Sequence, residues 1–208
     1  MTRRQIVSRL RLDLNEHFSD SVLYNRHLWN AFWTSSRVLI QREADSNKLK
    51  DQNIFKSYNI DTEQVNLYDG TCVPLECISC RVKFPKPLMS KTGPIYSFVG
   101  SPDMSVKYTV VNPQEFVIKS KIKGVRERYM FLEGDYGYLS KCIPCLKILV
   151  APDEDPTSVK GGNQCGLLDE EVTLPDYMVE ASIALAKQSL TIFLQKQYDH
   201  SANKNESN

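Results

Sequence analysis

Two cysteine pairs with metal-ligand spacing, Cys77-Ile-Ser-Cys80 and Cys142-Ile-Pro-Cys145, are the residues best suited by type to chemistry. Four thiolates are the donor set of a tetrahedral zinc ion, so Cys77, Cys80, Cys142 and Cys145 are the candidate metal ligands. Their surroundings argue against that reading. Sixty-one residues separate the pairs, against the roughly 15–20 of the compact zinc pattern. Neither pair is followed by glycine, and both include isoleucine within apolar, strand-like stretches. Along a strand, residues i and i+3 point to opposite faces, so each pair needs a local turn before its sulfurs converge. The favoured reading is that the cysteines are small buried hydrophobes. The N-terminal MTRRQIVSRLRLDLNE has no apolar core of a secretory signal, so the chain is expected in a reducing cytosol, where disulfides are not expected.

Other chemistry has less to stand on. The three histidines, His17, His27 and His200, lack the H-E-x-x-H spacing of a helical zinc protease. No G-x-S-x-G elbow and no phosphate-binding glycine pattern occurs. Asp153 with Asp155, and Asp169 with Glu170 and Glu171, read as solvated loop charges and an acidic helix start. No catalytic residue and no cofactor are assigned. The stretch RVKFPKPLMSKTGP carries Arg81, Lys83, Lys86 and Lys91 around Phe84. It is a possible phosphate contact, but reads more simply as a charged strand edge entering a proline-rich turn.

The totals bound the partners. With 26 basic and 25 acidic residues the 208-residue chain has a formal charge of +1, which does not mark its whole surface for nucleic acid or lipid. Its apolar runs fall far short of the roughly 18 residues of a membrane span.

The elements that must position these residues fall in a simple order. Thr2 and Gln5 have capping-box spacing, and Val7, Leu10, Leu14 and Phe18 recur at helical intervals. Ser19, Asp20 and Ser21 offer N-caps for a second helix reaching about Asn47. Its stripe of Trp29, Phe32, Trp33, Leu39 and Ile40, widened by Leu28 and Val38, is broad enough to touch more than one neighbour. From about Asn53 to Ala151 the period becomes two. Strands are expected at Gln64–Tyr68, Pro74–Phe84, Ile95–Val99, Lys107–Val111, Arg128–Leu132, Tyr136–Leu139 and Leu146–Val150, with hairpins around Gly100–Met104 and Gly134. A short helix is expected after Asn112, with Pro113 at its first position and Glu115 at its third. Pro152–Gly166 reads as a long loop, able to reach a neighbouring chain. A last helix carries Val179, Ile183, Ala186, Leu190 and Phe193 on one stripe and Met178, Ala181, Leu185 and Ile192 on a second row. The fold class is α+β: N-terminal helices and a C-terminal helix form a helical bundle with a β-rich insert between them. In residues, 1–52 and 173–198 form the helical part, 53–172 the insert and 199–208 a disordered tail.

Several stretches then point together to a family: SDSVLYNRHLWNAFWTSSRVLIQRE, NIFKSYNIDTEQVNL, CISCRVKFPKPLMSKTGPIYSFVGSPDMSVKYTVVNPQEFVIKSK and QCGLLDEEVTLPDYMVEASIALAKQSL. In that order they resemble a virion structural protein of crAss-like phages, the short-tailed phages of gut bacteria, over about Thr2 to Leu194. The resemblance implies a non-enzymatic ring in the neck between portal and tail, assembled in the host cytoplasm. More distantly it is similar to the adaptor proteins of other short-tailed phages. The implied partners are copies of the same chain in a twelvefold ring, the portal or a neighbouring neck ring, tail proteins, and genomic DNA passing without sequence recognition. It implies no membrane. On this reading Trp29, Phe32, Trp33, Leu39, Val179, Ile183, Leu190 and Phe193 serve the helical core first and contacts with other copies second. The competing reading is a zinc-dependent nucleic-acid-binding module built on the two cysteine pairs and Arg81–Lys91.

Overall fold

The capping box of the first helix forms as its spacing requires: the Thr2 amide donates to Gln5 Oε1 at 2.9 Å and the Gln5 amide to Thr2 Oγ1 at 3.3 Å. The computed structural model describes residues 1–15, 24–49, 51–65, 71–122, 127–153 and 171–205. Within these lie four α-helices: α1 (Arg3–Asn15), α2 (Asn25–Asp45), α3 (Pro113–Lys121) and α4 (Asp176–Asn205). The strands are β1 (Lys56–Asp61), β2 (Cys80–Lys83), β3 (Met89–Ser90), β4 (Gly93–Pro94), β5 (Tyr96–Gly100), β6 (Tyr108–Val110), β7 (Arg128–Glu133), β8 (Tyr136–Leu139) and β9 (Cys145–Val150). The molecule is of mixed α+β class. Its contacts divide it into two units, one of Met1–Ile54, Ser90–Thr92 and Asp155–Asn208, the other of Phe55–Met89 and Gly93–Glu154.

In the first unit α1, α2 and α4 share one core. Ile6, Val7, Leu10 and Leu14 of α1, Leu28, Trp29 and Phe32 of α2, and Val179, Ile183, Ala186, Leu190 and Leu194 of α4 form a single buried cluster. Polar pairs fix the helix directions. Arg9 meets Glu180 at 2.6 Å and Asp13 meets Lys187 at 3.7 Å, so α1 runs parallel to α4. Tyr177 donates to Glu43 at 3.0 Å and Ser36 shares a buried hydrogen bond with Ser182 at 3.0 Å, so α2 runs antiparallel to α4.

The second unit holds two larger sheets. One has the order β1-β9-β5; the other has the order β2-β8-β7-β6. In the second sheet β6 and β7 pair in parallel, which makes α3 their crossover. Alternation assigns the faces. Tyr129 and Phe131 of β7 pack with Phe116 of α3 and with Val73, Cys77 and Tyr138. Met130, between them, belongs to a cluster with Cys80, Val99, Tyr108, Leu139, Leu146, Ile148 and Val150, which draws on both sheets. Gly134 opens the β7–β8 turn with φ +58, a backbone conformation that glycine adopts without cost. Asn112 caps α3, its Oδ1 accepting from the Glu115 amide at 2.8 Å.

The structure departs from the sequence expectations at several places. The second helix starts at Asn25 with Tyr24 as its cap residue, later than Ser19–Ser21 would place it. At its start, Arg11 donates to Asn25 Oδ1 at 2.7 Å. β1 was not anticipated, because in KSYNID only Tyr58 and Ile60 are apolar and the strand is an edge. Pro74–Phe84 is not one strand: a 3-10 turn at Leu75–Cys77 precedes β2. The turn after Gly100 closes through the Ser101 amide on the Val106 carbonyl at 2.9 Å, but its two arms enter different sheets, β5 and β6. α4 runs on to Asn205, through most of the tail expected to be disordered, since no glycine or proline follows Pro175 to stop it. Phe18, the caps Ser19–Ser21, residues 66–68 of the expected strand Gln64–Tyr68, and the loop from residue 154 lie outside the described residues.

Candidate assembly surface

The cysteines do not assemble into a four-thiolate site. Cys80 and Cys142 form a disulfide, with Cα atoms 5.6 Å apart, which corrects the expectation of free thiols. The members of the first pair face apart, though not through strand alternation: Cys77, at the end of the 3-10 turn, packs in the cluster under α3, and Cys80, at the start of β2, in the cluster shared by the two sheets. Cys145 is a half-buried free thiol at the start of β9. Among the described residues no three of histidine, cysteine, aspartate or glutamate gather as metal ligands. The zinc reading thus loses its donor set, since two of its four sulfurs are bonded to each other.

Cys72 is exposed, and its amide donates to the Glu133 carboxylate at 3.2 Å. Partial desolvation of the thiol by its neighbours, and then the hydrogen bond and charge of Glu133, push its pKa up, which is opposite to what a nucleophilic cysteine requires.

Two of the four cations of the basic stretch, Arg81 and Lys86, are engaged internally. The Arg81 guanidinium lies 4.5 Å from the Tyr136 ring centroid and 3.3 Å from Glu63. Lys86 sits 3.3 Å from Asp153, and Phe84, between Arg81 and Lys86 in the sequence, is buried. These ion pairs reduce the positive charge available to a phosphate backbone.

The apolar residues proposed for assembly divide sharply by burial. Trp29, Phe32, Val179, Ile183 and Leu190 are in the core of the helical unit. The Trp29 and Phe32 rings stack 5.2 Å apart, and Arg3 covers the Trp29 ring at 4.6 Å. Trp33 and Leu39 are half-buried on the flanks of α2, and the indole N–H of Trp33 is buried without a hydrogen-bond partner among the described residues. Phe193 is 50% exposed; Leu194 takes the core position expected for it. The physical reason is the course of the buried line, which steps by four through Ala186, Leu190 and Leu194 and so drifts around α4 away from Phe193.

Phe193 is left exposed at the edge of that buried line, and the second row of α4 lies elsewhere on the helix. Tyr177, Ala181, Ala184, Gln188 and Ile192 are all exposed along it. Met178, read from the sequence as part of this row, is instead buried, and Leu185 is half-buried. Tyr177 and Ala184 were missed. The signal for them was the spacing 177, 181, 184, 188, 192, which follows the helix but includes the polar Gln188.

No curated protein matches the chain significantly. Residues 5–208 match the family described as phage tail ring protein 2. The match extends over nearly the whole chain, both units included, and the chain belongs to that family of crAss-like phage tail ring proteins.

Proposed function

We propose that this ring protein is a non-enzymatic component of the neck, joining the portal to the tail and surrounding the path of the genomic DNA. The observation that carries the proposal is the family match over residues 5–208. A channel through which DNA moves is best served by a surface that does not hold phosphate. The balance of 26 basic and 25 acidic residues, with Arg81 and Lys86 paired internally, suits that requirement. No helix among the described residues is long and apolar enough to cross a membrane. On this proposal the ring is twelvefold and meets the portal or an adjacent neck ring. The helical unit acts as a bundle for ring contacts, with the β-rich insert as the part that meets a neighbouring ring.

Electron cryomicroscopy of intact particles tests the proposal. The expected result is a closed twelvefold ring of this chain between portal and tail, with an open central channel. Density for it in a fibre, in the capsid shell or inside the head would overturn the neck assignment.

A further inference from the structure

We propose that the free edge of β1, over residues 57–61, is a docking site where an extended segment of a neighbouring virion protein adds as one more strand of the β1-β9-β5 sheet. The inference rests on the proposal that the β-rich insert meets a neighbouring ring, and it names the edge that does so. The Thr62 amide donates to the Pro144 carbonyl at 3.1 Å, one step beyond the register that pairs Asp61 with Cys145. In an antiparallel ladder the bonded pairs alternate. Lys56, Tyr58 and Ile60 therefore turn their backbone groups toward β9, and Ser57, Asn59, Asp61 and Glu63 turn theirs away from it. Glu63 uses its pair: its amide donates to the Arg81 carbonyl and its carbonyl accepts from the Arg81 amide, both at 2.8 Å. Ser57, Asn59 and Asp61 are exposed, and among the described residues no backbone hydrogen bond is made on that side of them.

The open stretch lacks the devices that protect a strand edge. Proteins blunt exposed edges with proline, bulges, charge or a covering element. The opposite edge of this sheet shows such devices. β5 carries a bulge between Tyr96 and Phe98, Gly100 bridges Lys107, and the Ile95 amide donates to the Leu88 carbonyl. β1 pairs with β9 in unbroken register and contains no proline. The bridge between Glu63 and Arg81 closes its far end. From residue 57 to residue 61 the open stretch then runs about 14 Å at roughly 3.4 Å per residue, the length of one short strand.

What flanks the edge defines the occupant. Tyr58 and Ile60 are half-buried and pack on the cluster shared by the two sheets, so an added strand needs apolar residues at the alternate positions beside them. Ser57, Asn59 and Asp61 lie on the other face by alternation. There polar side chains suit, and a lysine or arginine opposite Asp61 answers its carboxylate. Such a segment gains main-chain hydrogen bonds along the edge and specificity from its alternating side chains. A second copy of the chain fits less well. β5, the other edge of the same sheet, is already engaged, so these sheets cannot join edge to edge around a ring. Pairing β1 with β1 of another copy is two-fold, whereas a closed cyclic ring uses two different faces.

Asn59→Pro tests the edge, because the Asn59 amide faces away from β9 and its loss spares the β1–β9 ladder. The isolated variant should melt as the parent does, while particles that contain the ring fall tenfold or more. Hydrogen exchange in the parent compares the isolated subunit with intact particles, and decides the matter even where the proline variant fails to fold. The Ser57, Asn59 and Asp61 amides should exchange at least tenfold more slowly in the particle. A benzophenone amino acid at position 57 should crosslink, in particles, to a different virion protein within a segment of alternating apolar and polar residues. Equal exchange in the two states, or a normal particle yield from a folded Asn59→Pro variant, would overturn the docking edge while leaving the ring reading intact. Crosslinking only to another copy of the chain, or to nothing, would overturn the proposed occupant. Absence of the chain from the particles would overturn the docking edge and the ring reading together.

Discussion

Two serines show how much a buried hydroxyl pair depends on its partner. Ser36 donates to the Phe32 carbonyl at 2.9 Å and lies 3.0 Å from Ser182 Oγ, with both residues buried between α2 and α4. Removing one hydroxyl leaves the other with less to satisfy it; removing both leaves only small residues at a close helix contact. Ser182→Ala is therefore expected to cost about 1 kcal/mol, and Ser36→Ala with Ser182→Ala less than the sum of the two single changes. Denaturant melts of the four proteins check this; strict additivity would mean that the pair is not coupled. Cys72 gives a second residue-scale test. With its thiol pKa raised by partial desolvation and by Glu133, alkylation at pH 8 should be slower than that of an unstructured cysteine. Neutralising the neighbour with Glu133→Gln should speed it. Labelling at the free-thiol rate in the parent would refute the assignment.

At the scale of elements, the best-read segments were those where local chemistry and tertiary packing ask for the same thing. Asn112, Pro113 and Glu115 define the start of α3 without help from elsewhere, and the helix begins where they place it. Asn112→Ala should cost about 1 kcal/mol in a thermal melt, through loss of the cap to the Glu115 amide. β8 at Tyr136–Leu139 and the Gly134 turn were legible for the same reason. What failed to show in the sequence was set by partners far along the chain. The edge strand β1 is held by pairing with β9, not by its own apolar content. The parallel pairing of β6 with β7 follows from α3 crossing over, which no local pattern states. The choice of Leu194 over Phe193 depends on how α4 crosses its neighbours, since both positions are compatible with a 3.6-residue period. Leu194→Ala should destabilise the protein by about 2–3 kcal/mol, whereas Phe193→Ala should stay within about 0.5 kcal/mol. Equal losses would show that the exposed residue belongs to the core after all. Of the eight residues read as serving the helical core first and other copies second, five lie in the subunit core.

The whole molecule poses a redox question that the cysteine spacing alone did not raise. Cys80 opens β2, and Cys142 lies in the segment leading from β8 to β9, the central strand of the other sheet. That segment is also tied by Thr62, whose hydroxyl donates to the Ile143 carbonyl at 2.7 Å, and by Tyr108, whose hydroxyl donates to the Lys141 carbonyl. The disulfide therefore adds a covalent tie where the chain passes between two sheets that share a core. With a sequence separation of 62, restricting the unfolded chain is worth about 4 kcal/mol in the loop-closure model, and commonly about 2–4 kcal/mol in practice. We propose that the subunit is made in the reducing cytoplasm of its host, where it folds with both thiols free, and gains the bond only outside the cell. Three hydrogen-bonded anchors in one short stretch explain how it does so: the Ser79 hydroxyl on Ser140 joins those of Thr62 and Tyr108 in holding the segment before any sulfur bond exists. The expected outcome is a protein that folds with or without reductant but melts higher when oxidised. Cys80→Ser, Cys142→Ser and the double variant should each lower the oxidised melting temperature by a similar amount, and reductant should then have no further effect on any of them. An identical melting curve for the parent with and without reductant would show that the bond contributes nothing to the fold. Failure of the reduced chain to fold at all would show that the hydrogen bonds cannot hold the crossing alone.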